Sequence, residues 1–297
     1  MTAVDSALAA HHGSARSLPG IADPQARETL ARQIVASQRR EDYYRHVHRR
    51  RVSASRADPH SPSFDAERAV AFHVQQGDID EAAWLLFLMT HFAKPTGSGW
   101  LRLAQVYGGL GTQVWSWPRV IANPAAFKAW IAANWQAIGG KFGNHRKYET
   151  LRPTAARNLG AVVDSYLAWI GPRAHAAHFA QAVRRAGNHP HVIFDALYRD
   201  MKVLSFGRLA KFDYLSNIGR YGIAPIAAGS AYLDEATGPA TGARLLFDGN
   251  RQSVTSAASL QTYLDELDRT LSVGMAVLED AICNWQKSPR RFVHFTG

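Results

Sequence analysis

The sequence predicts an all-α fold, and three observations carry that expectation. Apolar residues recur at intervals of three and four along most of the chain, while no stretch sustains the alternation of a half-buried strand. Helix punctuation goes with this period: Asp78 with Glu81 fits a capping box, and Gly171-Pro172 closes an apolar helix. The run AAWLLFLMTHF is apolar all round and reads as a helix buried in the middle of the domain. About ten or more helices are expected, with no internal repeat and no domain break.

Composition narrows the function classes. A chain of 297 residues can bury a substantial core, and 46% hydrophobic with 20% charged residues is ordinary for a globular protein. No run of about eighteen apolar residues is present, so no membrane span is expected. The N-terminus carries Asp5 and lacks a basic start followed by an apolar block, so a cytoplasmic protein is expected. A single cysteine, Cys283, excludes an internal disulfide and a thiolate metal cluster. The formal charge of +10 and pI near 9.9 imply a surface that attracts polyanions, of which nucleic acid is the commonest.

Taken in order, residues 1–24 are small, polar and punctuated by proline, and read as a mobile tail before a single helical domain over 25–297. PQARETLARQIVASQRREDYYRHVHRRR is an Arg-rich helix whose end interleaves cations with aromatics, a pattern suited to phosphate contact and base stacking or to a solvated helix end. SRADPHSPSFD is a loop, because its prolines leave no room for a helix. Helices follow at Asp65 to Val74 and Asp78 to Phe92, with His91 and Lys94 at the C-terminal end of the second, where carbonyls favour positive charge. Leu101 to Tyr107 is a short helix before GGLGT, which lacks the Lys-Ser/Thr of a P-loop and fits weakly a helix-hairpin-helix element. Pro118 to Val120 and Pro124 to Ile138 continue in helices. Asn158 to Trp169 is amphipathic and holds Asp164 inside its apolar pattern, where pairing is the usual state of a carboxylate. Two helical turns with a His-rich loop occupy residues 173–202; no acidic ligand falls at a matching interval, so no metal is expected. After Gly222 the Gly and Pro density argues against a long helix, and Thr237-Gly238-Pro239 reads as a ligand-shaped turn or a plain connection. Ser256 to Asn284 reads as one long helix.

Two stretches concentrate chemistry. GGKFGNHRKYETLR crowds Lys141, Asn144, His145, Arg146, Lys147 and Tyr148 into a glycine-rich loop; Lys141, Arg146 and Lys147 suit a phosphate backbone, and His145 titrates near neutrality and suits a proton shuttle. FGRLAKFDYLSNIGRYG places Arg208, Lys211, Asp213 and Tyr214 on one helix, pinned by a stripe of Phe206, Leu209, Phe212, Leu215 and Ile218. Arg208, Lys211 and Asp213 are expected to converge, as an acid/base and phosphate-reading surface; a solvated face with a local ion pair is the plain alternative.

At GNHRKYE, FGRLAKFDYL, IAPIAAGSAYL, ATGPATGARLLF and CNWQKSP the sequence resembles the α-glutamyl/putrescinyl thymine pyrophosphorylase family, clade 3, over about Pro24 to Phe292. That family is similar to a distant branch of the helix-hairpin-helix DNA glycosylases. The resemblance implies a helical DNA-binding fold, a base turned out of double-stranded DNA, no cofactor, and a substrate among the hypermodified pyrimidines of phage DNA. Some relatives resemble antiphage glycosylases that remove glucosylated hydroxymethylcytosine; others act on a pyrophosphorylated hydroxymethyluracil. The resemblance also marks a departure. In ordinary members of the superfamily an Asp lies in a stretch similar to IAPIAAGSAYL, where this chain has Gly229. Asp213 is therefore the expected carboxylate, with Asp195, Asp164 and Asp234 as substitutes. His145 or Tyr148 would serve the leaving base; Arg208, Lys211 and Lys147 the phosphates; Asn144, Asn284 and Gln286 a sugar on the base. Lys141, Arg146, Tyr214, His91, Lys94 and Lys287 complete the expected DNA-facing set. Three activities follow: base excision, replacement of the diphosphate by an amine, or binding without chemistry. No obligate protein partner is evident.

Overall fold

Alanine, leucine and the long charged side chains are frequent in the helical segments, and Asp65, Asp78, Asn123, Asn158 and Ser256 each cap a helix N-terminus by accepting a backbone N–H. The computed structural model describes residues 1–172 and 174–294; Arg173 and residues 295–297 lie outside that set. In chain order the helices are α1 (Thr2–Ser14), α2 (Pro24–Arg49), α3 (Ala54–Ala57), α4 (Ala66–Gln75), α5 (Ile79–Phe92), α6 (Leu101–Tyr107), α7 (Trp117–Ala122) and α8 (Pro124–Asn134). They continue as α9 (Leu159–Ile170), α10 (His175–Ala186), α11 (Pro190–Asp200), α12 (Arg208–Arg220), α13 (Gly238–Asp248), α14 (Ala257–Leu271) and α15 (Met275–Trp285). No strand occurs among the described residues, and the fold is all-α as the periodicity predicts.

The described residues group into two compact units: 1–43 with 227–294, and 44–226. In the first unit, α1 replaces the expected tail. Its Leu8 is fully buried, and His11 is buried with Nδ1 2.8 Å from the Thr270 hydroxyl of α14. The expected long C-terminal helix is broken between α14 and α15, where Ser272 (φ +50°) and Gly274 (φ +88°) adopt left-handed backbone that an α-helix cannot continue through. The Asp268 carboxylate accepts from the freed N–H groups of Val273 and Gly274, at 3.0 and 2.8 Å. Thr237-Gly238-Pro239 opens α13, an 11-residue helix in the stretch whose glycine and proline argue against a long one. Leu260, Leu264, Leu267, Leu278 and Trp285 form the core with Leu30 and Ile34 of α2.

In the second unit α5 is the central element, buried from Glu81 to Met89. Trp84, Phe87 and Phe92 are essentially inaccessible, each burial contributing roughly 1.5–3 kcal/mol. Asp78 caps α5, accepting from the Glu81 N–H at 3.3 Å. Glu81 itself does not complete the capping box. Its carboxylate points inward, accepting from the Tyr107 hydroxyl at 2.5 Å and the Trp117 N–H at 2.6 Å.

Burial raises the Glu81 carboxyl to about 7, against the two hydrogen bonds that favour its charged form. Because the folded state binds this proton more tightly than the unfolded chain does, its contribution is fully present below about pH 4.5 and lost as pH rises through 7. Relative to Glu81→Gln, the wild type is expected to lose about 3 kcal/mol of stability between pH 4 and pH 8. Chemical denaturation of both proteins across that range measures the difference directly.

Candidate functional site

The two chemistry-bearing stretches meet in the second unit, and Arg146 joins them. The glycine-rich loop is first fixed to the end of α5. Gly143 donates its N–H to the Phe92 carbonyl at 2.8 Å, and a Cβ on Gly143 would sit 2.5 Å from the Ala93 Cβ, so only glycine permits the approach. Phe142 stacks on Phe92 with centroids 5.5 Å apart, and the Arg102 guanidinium lies 4.7 Å from the Phe142 ring. Arg102 also donates to the carbonyls of Gly139 and Gly140, at 3.0 and 2.6 Å. The loop is therefore tied at its entry and at its turn.

A single 3-10 turn over Asn144–Arg146 then sorts the side chains. Arg146 turns inward and is buried, while Lys141, Asn144, His145 and Lys147 face solvent and Tyr148 is 88% exposed. The Lys147 ammonium sits 5.1 Å from the Tyr148 ring, so the pair forms an exposed cation and aromatic edge.

Arg146 donates to the Ser205 carbonyl at 2.8 Å and to the His91 carbonyl at 3.2 Å, lies 3.3 Å from Glu149, and stacks 5.1 Å over Phe206. It thus clamps the end of α5 to the segment that leads into α12. Burial pulls its pKa below the ordinary arginine value, opposed by the charges of Glu149 and then Asp213, with Arg157 acting the other way. Asp213 is half-buried on α12 and lies within Coulombic reach of this guanidinium.

His91 completes the inner layer. It is fully buried, and burial and then the Arg146 charge push its pKa well down, so the ring is neutral. Guanidinium only donates; His91 Nδ1, 3.3 Å from Arg146, is therefore the acceptor and the proton resides on Nε2.

Several expected DNA-facing residues lie inside the fold. His91, Arg146, Arg208 and Tyr214 are all buried. Arg208 lies 4.9 Å over the Phe212 ring, and Lys211 5.4 Å from the Tyr198 ring of α11. The expected convergence of Arg208 and Lys211 with Asp213 runs against helix geometry: residues two apart leave the axis about 200° apart, so Lys211 and Asp213 point to opposite sides. Of the predicted stripe, Phe206, Phe212, Leu215 and Ile218 are buried, whereas Leu209 is 36% exposed on the Asp213 side.

Tyr214 ends a buried hydrogen-bonded chain that sequence reasoning missed. The Asp80 carboxylate accepts from His175 Nδ1 at 3.0 Å and from its backbone N–H at 2.6 Å. His175 Nε2 is 2.7 Å from the Tyr166 hydroxyl, which is 2.9 Å from that of Tyr214. With Nδ1–H donated to Asp80, Nε2 accepts from Tyr166, and Tyr214 donates to Tyr166. Burial raises both tyrosines above their ordinary pKa, and the hydrogen bond from His175 holds Asp80 below its own. The chain links α5, α9, α10 and α12, and so fixes the helix that carries Asp213. Its members lie far apart in sequence, and no local spacing marks them.

The remaining candidates are placed as follows. Lys94 is exposed, 3.7 Å from Glu67. Asp164 pairs with Lys128 at 2.7 Å, and Asp195 with Arg199 at 3.0 Å. Asp234, Asn284, Gln286 and Lys287 belong to the first unit, where Asn284 donates to Asp280 at 2.8 Å and accepts from Lys287 at 2.9 Å, and the Gln286 carbonyl accepts from Arg251 at 2.6 Å. Among the described residues no group of His, Cys, Asp and Glu is arranged to hold a metal ion, and no helix is long and apolar enough to cross a membrane.

Neither the curated proteins nor the solved structures compared with the chain match it. The family model described as alpha-glutamyl/putrescinyl thymine pyrophosphorylase clade 3 matches residues 25–297, covering nearly all of the sequence, and the chain belongs to that family.

Proposed function

We propose that the protein is a DNA glycosylase that extrudes a hypermodified pyrimidine from double-stranded phage DNA and cleaves its N-glycosidic bond, as an antiphage defence. The family's description points to modified thymine in DNA as the substrate class. The observation that carries the glycosidic reading is the state of Arg146: its donors are engaged by Ser205, His91 and Glu149, and beside it stands the half-buried carboxylate of Asp213. A buried cation already bound to protein carbonyls is poorly placed to hold a leaving diphosphate, and this one lies within Coulombic reach of a half-buried carboxylate.

In this reading the C1′–N1 bond breaks with its electron pair going to the base, and positive charge develops on the deoxyribose. Asp213 stabilises that charge and accepts a proton from the water that adds to C1′. His145 or Tyr148, on the exposed side of the loop, donates to the departing base. Lys141, Lys147 and Asn144 contact phosphate or a sugar carried by the base, and the exposed Tyr148 ring offers a stacking surface for a base or for the gap it leaves. The products are a free modified base and an abasic site.

The family's name favours a second reading, in which an amine replaces a diphosphate on modified hydroxymethyluracil. The two reactions separate in one assay. Phage DNA bearing glucosylated hydroxymethylcytosine, and hydroxymethyluracil DNA bearing diphosphate, are each incubated with protein. Free base with abasic sites supports the glycosylase; diphosphate release that requires added amine supports the transferase.

A further inference from the structure

The first unit carries a basic groove that the candidate site does not use. Two shallow depressions of about 230 and 270 Å³ lie side by side and share Arg32 and Phe292. Arg39 rims the first, over an aliphatic floor that includes Val35 of α2; Arg290 and Arg291 rim the second. All four guanidinium-bearing residues are exposed, and Phe292 is half-buried between them.

The opposing carboxylates are weakly held. Glu28 pairs with Arg32 at 2.6 Å and Asp23 with Arg290 at 2.9 Å, and every partner in these pairs is at least 36% exposed. Exposed pairs of this kind contribute about 0–1 kcal/mol, so an incoming phosphate can replace either carboxylate at little cost. Each depression is smaller than the roughly 300–1,000 Å³ that encloses a drug-sized molecule, and their side-by-side arrangement suits an extended ligand. Arginine reads phosphate through paired N–H groups, and a half-buried ring on an aliphatic floor offers a face to an unstacked base. Bases inside a duplex cannot reach such a floor.

We propose that this groove holds an unpaired stretch of DNA, its phosphates on Arg32, Arg39, Arg290 and Arg291 and a base on Phe292. The inference rests on the reading of the chain as a DNA-acting enzyme and adds a second contact surface to it. Fluorescence anisotropy of the full chain tests it with a labelled oligothymidylate, a duplex of equal length and an oligomer lacking bases, each over a range of salt.

Arg39→Gln combined with Arg291→Gln weakens oligothymidylate binding by about tenfold or more, and flattens the log–log salt slope by about 1.4, the loss of two phosphate contacts on a single strand. Phe292→Ala weakens oligothymidylate binding by about fivefold or more and leaves the base-free oligomer unaffected. An unchanged affinity and slope in the double variant overturns the proposal, as does an equal loss on duplex and single strand. Arg39→Glu and Arg291→Glu, tested singly and with matching thermal melts, carry the same expectation should the double variant fold poorly. Base release is scored separately. Wild-type protein that binds through the groove yet releases no base refutes the glycosylase reading alone; base release with unchanged binding by the double variant refutes the groove alone.

Discussion

Asp213→Asn is expected to leave the fold intact and to lower base release by about 10²–10⁴-fold under single-turnover conditions. The side chain is half-buried and asparagine is nearly isosteric with it, and a thermal melt beside the assay separates lost chemistry from lost stability. What the amide cannot do is stabilise a developing positive charge or take a proton from water. Raising or lowering the pH is not expected to restore base release in Asp213→Asn, because an amide at that position has no carboxylate form to titrate into. Full activity in the variant would move the role to another carboxylate. Asp164 and Asp195 are already committed to exposed pairs with Lys128 and Arg199.

Arg146→Met is expected to destabilise the unit formed by residues 44–226 by about 3–5 kcal/mol. Methionine fills much of the volume but leaves the carbonyls of Ser205 and His91 and the carboxylate of Glu149 without their buried donor. For a unit of this size each kcal/mol lowers the melting temperature by roughly 2–4 °C, so a fall of about 6–20 °C is expected. Arg146→Lys keeps the charge but not the planar fork that spans several acceptors, and should recover only part of the loss. A Met variant melting within a degree or two of wild type would mean that water already satisfies those groups.

The sequence pattern made the helical architecture legible because periodicity reports burial, and burial decides most of this fold. The long α2 and the apolar α5 follow their patterns closely. The failures have particular causes. The small and polar character of residues 1–24 suggests a tail, yet alanine is the best helix former and Leu8 supplies a buried anchor for a helix over Thr2–Ser14. Leucine spacing ran on through residues 272–274, where two left-handed residues end α14, and periodicity is blind to backbone handedness. The candidate site was half legible. Both crowded stretches lie in one unit, and Arg146 with Asp213 links them. Which cations point inward was not legible, because a charged residue in a loop defaults to solvent and only the 3-10 turn and the tight seat of Gly143 against Ala93 send Arg146 into the core.

The central claim is that this chain breaks the bond between a modified pyrimidine and its deoxyribose. Mass spectrometry of the small molecules released from glucosylated hydroxymethylcytosine DNA, with abasic sites counted on the same DNA and on an unmodified control, tests it most directly. Free modified base in equal number to abasic sites, confined to modified DNA and lost in Asp213→Asn, is the predicted result; modified DNA recovered intact, or diphosphate released from the phosphorylated substrate only when an amine is added, would contradict it.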